Sequence, residues 1–308
     1  MSMNTIALAE KMTGDLDKAV CQKSVTGLFA DNVLRAKFVG AGKVLIPEID
    51  MAGLGAYDRD SGFVQGAISV SNEPYELTMD RARTFQLDAQ DNDESGVASL
   101  AGQVMGEFIR TKVVPELDAY CLSKLAQYAV SNSQTVALTG ALDDSVYSLF
   151  TDAVAKAQNA VGYDEELVAF VDGAVYTALM KSSEIERLIE VGNFTKGGVD
   201  TVVKSLNGVT ILPVTDSRMK TAYTFLDGKT SGMEAGGFAP AAGALNIGLL
   251  VLPRRAASLV KKTEAMRIFA PAQNVQADAY KFDYRLYYDL FIRKSMGGGI
   301  VAYVGAAA

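Results

Sequence analysis

Between residues 95 and 130 the apolar side chains Val97, Leu100, Ala101, Val104, Met105, Phe108, Leu117, Cys121, Leu125 and Tyr128 recur at steps of three and four. That spacing places them on one face and predicts a single long amphipathic helix. Asp91, Asp93, Glu94 and Ser95 crowd its start, where unpaired backbone N–H groups and the helix dipole favour acceptors and negative charge. Pro115 lies inside the pattern. Its ring removes a backbone donor and clashes with the carbonyl of Thr111, so a bend or break is expected there.

What surrounds this helix is mostly β. Residues 43–50 form a strand interrupted by Pro47, which suits a sheet edge. Three glycines and several charged or small polar residues over 51–62 read as a flexible loop. Residues 63–70 and 75–87 read as extended runs separated by a turn at Ser71, Asn72, Glu73 and Pro74. Together these segments predict a long two-stranded ribbon, and such a ribbon is marginal in water unless it is laid on something. Residues 1–37 are polar, with weak helical signals at Ile6, Leu8 and Met12, and read as an arm that cannot order itself alone.

Beyond the long helix, further helices are expected at 143–162, 172–188 and, shorter, at 254–260. Strands are expected at 167–171, 209–214, 222–226, 245–252, 266–269, 281–294 and 300–304. The Gly- and Ala-rich stretch 228–243 reads as a loop, and Gly297, Gly298 and Gly299 as a turn. Helices and strands follow one another irregularly, which favours α+β over a doubly wound sheet. A chain of 308 residues can bury roughly 75% of its unfolded surface, as one large domain or two lobes.

Composition removes most chemistry. There is no histidine, so Ser-His-Asp and Cys-His catalysis and His-based zinc sites are excluded. Cys21 and Cys121 are too few for a disulfide framework or a four-Cys site, and Cys121 falls in the helical stripe as a small core residue. Gly228-Lys229-Thr230 resembles the end of a P-loop, but Tyr223 stands where its first glycine is required. Gly40-Ala41-Gly42-Lys43 precedes its strand instead of following it. Ser258 and Lys261 have S-x-x-K spacing without the companion motifs. The acidic run 88–94 lacks EF-hand spacing. No cofactor, metal or catalytic residue is expected. The N-terminus has no signal-peptide pattern, and the longest apolar run, 244–252, is too short to span a bilayer.

Net charge is −7, without the clustered Lys and Arg that grip phosphate backbones. Residues 1–100 carry a balance of −6 and residues 251–294 a balance of +5. Opposite signs on two parts of one chain favour head-to-tail contact between copies, although ordinary surface scatter explains the asymmetry equally well. An arm and a ribbon on a compact body describe a protein whose stability is completed by other copies of itself.

In this order, several segments resemble the tailed-phage major capsid proteins of the Hong Kong 97-type fold. Leu45-Ile46-Pro47, residues 53–59 (GLGAYDR) and Ser61-Gly62-Phe63 resemble the family's long E-loop, and residues 80–88 its return strand. Residues 101–108 and 114–120 resemble the spine helix, and residues 280–291 (YKFDYRLYYDLF) the long C-terminal strand. The likeness is strong over 40–130, moderate over 245–304 and faint between.

The resemblance implies an α+β Hong Kong 97-like fold with an N-terminal arm (1–37) and an E-loop hairpin (38–92). A peripheral lobe would hold the spine helix (93–134) and return strands (263–295). An axial lobe (135–262) would be completed by the last strand (296–308). It implies pentamers and hexamers in an icosahedral virion capsid around double-stranded DNA, without sequence-specific binding or a membrane, assembled in the bacterial cytoplasm. A portal, a scaffolding protein and a decoration protein are the implied partners.

Tyr57, Asp58, Arg59, Asp60, Arg81 and Arg83 are the candidate intersubunit contacts, and Pro115 the candidate spine-helix bend. On this reading Arg81→Glu blocks assembly more than folding. Some family members cross-link an E-loop lysine to an asparagine, but here no lysine lies between Lys43 and Lys112, so no covalent cross-links are expected. Residue 1 already falls in the arm, so scaffolding is expected as a separate protein. The alternatives are an encapsulin-type shell packing a protein cargo, an enzyme of unknown class, and a tail-tube protein.

Overall fold

The computed structural model describes residues 22–30, 37–39, 43–60, 62–89, 101–138, 141–182, 190–196 and 199–305. The arm signals at Ile6, Leu8 and Met12, Cys21 and the acidic helix start at 91–95 lie outside the described residues.

Strands β1 (Lys37–Val39), β2 (Lys43–Met51) and β3 (Ile68–Glu76) form an antiparallel sheet in that order. β2 and β3 make the ribbon, in register from Lys43↔Glu76 at its base to Met51↔Ile68. Ser71, Asn72, Glu73 and Pro74, expected as a turn, lie inside β3, and the chain reverses instead through 52–67. The ladder with β2 overrides the local turn preference, and Pro74 is tolerated because β3 is an edge strand. β2 is the central strand, yet β1 pairs only with Lys43, Val44 and Leu45. Among the described residues, Pro47 therefore sits where one side of β2 has no ladder to interrupt.

After the ribbon, β4 (Met79–Asp88) leaves for another sheet. The long helix follows as α1 (Ala101–Phe108), a π-helical turn (Ile109–Val113) and α2 (Val114–Ser131). Pro115 does not end it. The Val114 N–H bonds to the Ile109 carbonyl, five residues back, so the ladder opens one residue ahead of the ring. Thr111 Oγ1 donates to the Glu107 carbonyl (2.8 Å) in the same turn. Leu117, Cys121, Leu122, Leu125, Ala126 and Ala129 bury one face of α2.

The next segment contains β5 (Thr135–Val136), α3 (Leu142–Val161), β6 (Leu167–Val171), α4 (Gly173–Lys181), β7 (Glu190–Lys196), β8 (Val199–Leu206), β9 (Val209–Pro213), β10 (Tyr223–Leu226), β11 (Gly237–Pro240) and β12 (Asn246–Pro253). Val146, Leu149, Phe150, Ala153 and Ala157 follow helical spacing along the buried side of α3. The helix stops at Gly162, whose φ of +94° strains any residue with a Cβ. α4 starts on Asp172, whose carboxylate accepts the Val175 N–H (2.7 Å), and ends at Lys181. The remainder of the helix expected to 188 lies outside the described residues.

The last elements are β13 (Ala257–Phe269), β14 (Ala279–Ile292), a helical turn α5 (Lys294–Gly297) and β15 (Val301–Gly305). Residues 254–260, expected as a short helix, instead contain a turn at Arg254 and the start of β13, because Ala257 and Ser258 pair with Ile292 and Phe291. Likewise β11 lies within the stretch expected as a loop, held by antiparallel pairing to β10.

One sheet runs β5-β15-β12-β6-β9-β8-β7 and another β13-β14-β4. Alternation along the strands gives the first sheet two buried faces. Val168, Phe170, Leu250 and Leu252 join a core with α2, while Leu167, Ala169, Val171, Leu249 and Val251 join a second core with α3 and α4. This two-sided burial explains why β6 and β12 read as continuous apolar runs. Each fully buried Leu, Val or Phe contributes about 1.5–3 kcal/mol. β13 changes register between Lys261 and Thr263. From Ala257 to Leu259 it is buried, and beyond that bulge it is largely exposed.

Candidate assembly surface

The ribbon departs from the body at Leu77 and Thr78, and this junction is clamped. Asp289, fully buried on β14, accepts the Thr78 N–H (3.1 Å), the Thr78 hydroxyl (2.9 Å), the Tyr120 hydroxyl (2.7 Å) and the Lys124 ammonium (2.5 Å). Burial pushes the Tyr120 phenol well above its ordinary pKa, so it stays a donor. The Tyr287 hydroxyl donates to the Leu77 carbonyl (3.1 Å), and Leu77 packs with Val44 and Phe291. Lys43–Glu76 (2.8 Å) and Asp80–Arg285 (2.6 Å) flank the junction as exposed ion pairs, each worth little singly. Each pairing holds the Glu76 or Asp80 carboxylate below its usual pKa.

The tip is folded rather than slack. Asp58 and Gly62 exchange backbone hydrogen bonds (2.8 and 3.2 Å), and the Asp60 N–H donates to Asp58 Oδ1 (3.0 Å). Gly62 has a φ of +83°. Tyr57 and Phe63 meet edge-on with ring centroids 5.0 Å apart. Yet the tip and the adjoining strand ends carry much exposed apolar surface: Met51, Leu54, Tyr57, Phe63, Val64, Ile68 and Val70, with Leu54 and Phe63 107% and 89% accessible. Met51 stands opposite Ile68, with Val70 two residues along the same face. So much contiguous exposed apolar surface marks an interaction site. Tyr57, Asp58, Arg59 and Asp60 all lie here, on the surface.

Arg81 and Arg83 lie elsewhere, on β4 beside a cleft of about 410 Å³ between the β4–β14 sheet, the π turn and the 226–238 segment. Arg81, expected to reach another copy, is committed to its own chain. Its guanidinium grips Glu116 of α2 (2.6 and 3.3 Å), donates to the Gly237 carbonyl (3.1 Å) and lies 5.9 Å from the Phe225 ring centre. Among the described residues Arg83 donates to the Glu234 carbonyl (3.3 Å), and it remains exposed. A Cβ on Gly228, which has a φ of +72°, would stand 2.8 Å from Arg83 Nη1. Beside it, Asp227 is held down to about 2, first by the Thr230 hydroxyl, then by the N–H groups of Lys229 and Thr230.

One cluster escaped the sequence reading. Asp118 and Arg218 form a buried ion pair (2.8 Å; side chains 0% and 3% exposed). The Asp118 carboxylate also accepts the Ser24 hydroxyl (3.0 Å), the Thr26 hydroxyl (2.5 Å) and the N–H groups of Val25 and Thr26 (both 3.2 Å). Arg218 donates to the Gln22 and Lys23 carbonyls (2.9 and 3.4 Å). Phe29 is fully buried, its ring 6.0 Å from Phe170. Residues 22–29 are therefore seated on their own subunit, whereas the arm was expected to need another support. Asp118 interrupts an otherwise apolar helix face, and that was the available signal.

Among the described residues no Cys, Asp or Glu side chains group closely enough to hold a metal ion, and no helix is long and apolar enough to cross a membrane. Burial pushes the Cys121 thiol far above its ordinary pKa, which leaves it protonated and unreactive.

No family model and no curated protein matches the chain. Solved structures do. The capsid structure of cyanophage P-SCSP1u is 12% identical with a TM-score of 0.65, over 97% of this chain and 93% of that one. A structure from Gordonia phage Cozz is 11% identical with a TM-score of 0.62, over 98% and 92%. The mature capsid of bacteriophage PhiM1 is 14% identical with a TM-score of 0.59, over 96% and 91%. Over nearly its whole length, this chain has the α+β fold of tailed-phage capsid subunits.

Proposed function

We propose that this chain is the major capsid protein of a tailed bacteriophage and that it assembles, as pentamers and hexamers, into an icosahedral shell enclosing double-stranded DNA. The observation that carries this reading is the ribbon. A capsid-type body holds out a two-stranded element with an apolar, exposed tip and fixes its base with a buried carboxylate. A monomer gains nothing from such an element, whereas a lattice covers it, each ribbon lying over an adjoining copy. Apolar burial contributes about 25 cal/mol per Å² before ordering costs, and many modest contacts in a closed shell reinforce one another. The net charge of −7 suits a container whose DNA must not stick to its walls. A portal, scaffolding and decoration proteins are the proposed partners, and the virion the proposed location after assembly in the host cytoplasm.

The test is negative-stain electron microscopy of the purified protein with and without the products of adjacent genes. Closed polyhedral particles, pentamers or hexamers are expected. A uniform small oligomer under every condition rejects the reading.

A further inference from the structure

We propose that the cleft beside Arg83 is the socket for the ribbon tip of a second copy. This rests on the assembly reading above and adds to it the place where the tip lands and the residues that hold it.

The cleft is built for an acidic segment with an apolar anchor. Its lining is aromatic: Phe85 meets Phe108 edge-on and Phe108 meets Tyr284, with ring centroids 4.9 and 5.9 Å apart, and Phe238 also lines it. Its rim carries Arg83 and Lys112, both exposed and neither in an ion pair with any described residue. Arg81 is paired with Glu116, while Asp227 keeps its negative charge within hydrogen bonds from the Thr230 hydroxyl and two backbone N–H groups, so among the described lining residues three cations (Arg81, Arg83 and Lys112) stand against two carboxylates, a balance of +1. The surplus at the rim is therefore positive.

The ribbon is the complement. Residues 43–76 carry six acidic and two basic side chains, a balance of −4. At its tip Asp58 and Asp60 stand beside the exposed Tyr57–Phe63 ring pair. Aromatic rings meeting an aromatic lining, with carboxylates facing Arg83 and Lys112, satisfy both surfaces at once.

The tip cannot enter the cleft of its own chain. Nine paired rungs separate the tip from the base, roughly 30 Å at strand spacing. The base is clamped at Thr78, only a few residues before Arg81 and Arg83 on β4. Tip and cleft are different surfaces of one molecule, so their contact is head-to-tail and generates rings or lattices instead of closed dimers.

Charge reversal tests the pairing. Asp58→Lys/Asp60→Lys and Arg83→Glu/Lys112→Glu should each cut particle yield at least tenfold while circular dichroism shows a folded subunit. All four changes in one chain should recover most of the yield. A second measurement does not depend on tolerance of reversed charges. In a Cys21→Ser background, Asp60→Cys/Lys112→Cys particles should give disulfide-linked multimers on non-reducing gels. Closed particles whose subunits run only as monomers, or both reversals assembling normally, overturn the socket while leaving the shell reading intact. If the unaltered chain forms no particles, the shell reading itself has failed.

Discussion

At the scale of single residues, the side chains with most at stake are buried acids joined to partners far along the chain. Asp118 holds Arg218 and the 24–26 segment together, with no water to replace a lost partner. Asp118→Ala takes the carboxylate away from the buried Arg218 guanidinium and from the donors of residues 24–26, and we expect a loss of about 3–5 kcal/mol in urea unfolding of the unassembled subunit. A loss under 1 kcal/mol would show the pair to be dispensable. The bidentate contact of Arg81 with Glu116 adds a second cost to Arg81→Glu: it sets two carboxylates against each other inside one subunit, so we expect folding to suffer as well as assembly. Asp227 gives a pH dependence with a definite sign. Its folded pKa, about 2, lies below its ordinary 3.8, so the order it lends to 227–230 is complete above pH 4 and fades as pH falls through 2. Nuclear magnetic resonance titration of the Lys229 and Thr230 amides should give a midpoint below 3; a midpoint near 4 would mean the carboxylate is unengaged.

Elements show how far the sequence could be read. The long helix and the two-sided strands β6 and β12 were legible because one face, or both, carries an apolar pattern that a single buried acid, Asp118, does not hide. β11, the first residues of β13 and the middle of β3 were not, since their extended state comes from ladders with partners that local composition cannot name. Site residues divided the same way. Tyr57 to Asp60 were singled out in a polar, glycine-bearing loop and lie exposed at the ribbon tip, whereas Asp289 and its clamp join residues as much as 211 positions apart and leave no local trace. That clamp sets the stiffness of the ribbon root. Thr78→Val removes the hydroxyl donor to Asp289, a loss of about 1–3 kcal/mol. Hydrogen exchange should quicken at residues 77–80 and stay unchanged in α3, which packs in the other core. Equal quickening in both places would mean that Thr78 supports the whole fold and not the ribbon root.

For the whole molecule, the question is what holds copies together once the ribbon is covered. A shell built from this chain would have two available sources of strength: covalent bonds between subunits, or burial and charge pairing summed over many contacts. The first requires a nucleophile on the ribbon, and none of the residues from 44 to 111 is a lysine. Lys43, at the ribbon base, is occupied with Glu76, which raises the pKa of its ammonium and disfavours the nucleophilic amine further. The second source is plainly present, in seven exposed large apolar side chains at the tip and adjoining strand ends and a ribbon of net charge −4. Mature particles dissolved in hot detergent should therefore run as one monomer band on denaturing gels. The same particles should loosen when urea weakens apolar burial, and more readily in high salt, which screens the exposed charges. A ladder of multimers that survives reduction and boiling would show that covalent chemistry holds the shell, through a residue other than a ribbon lysine.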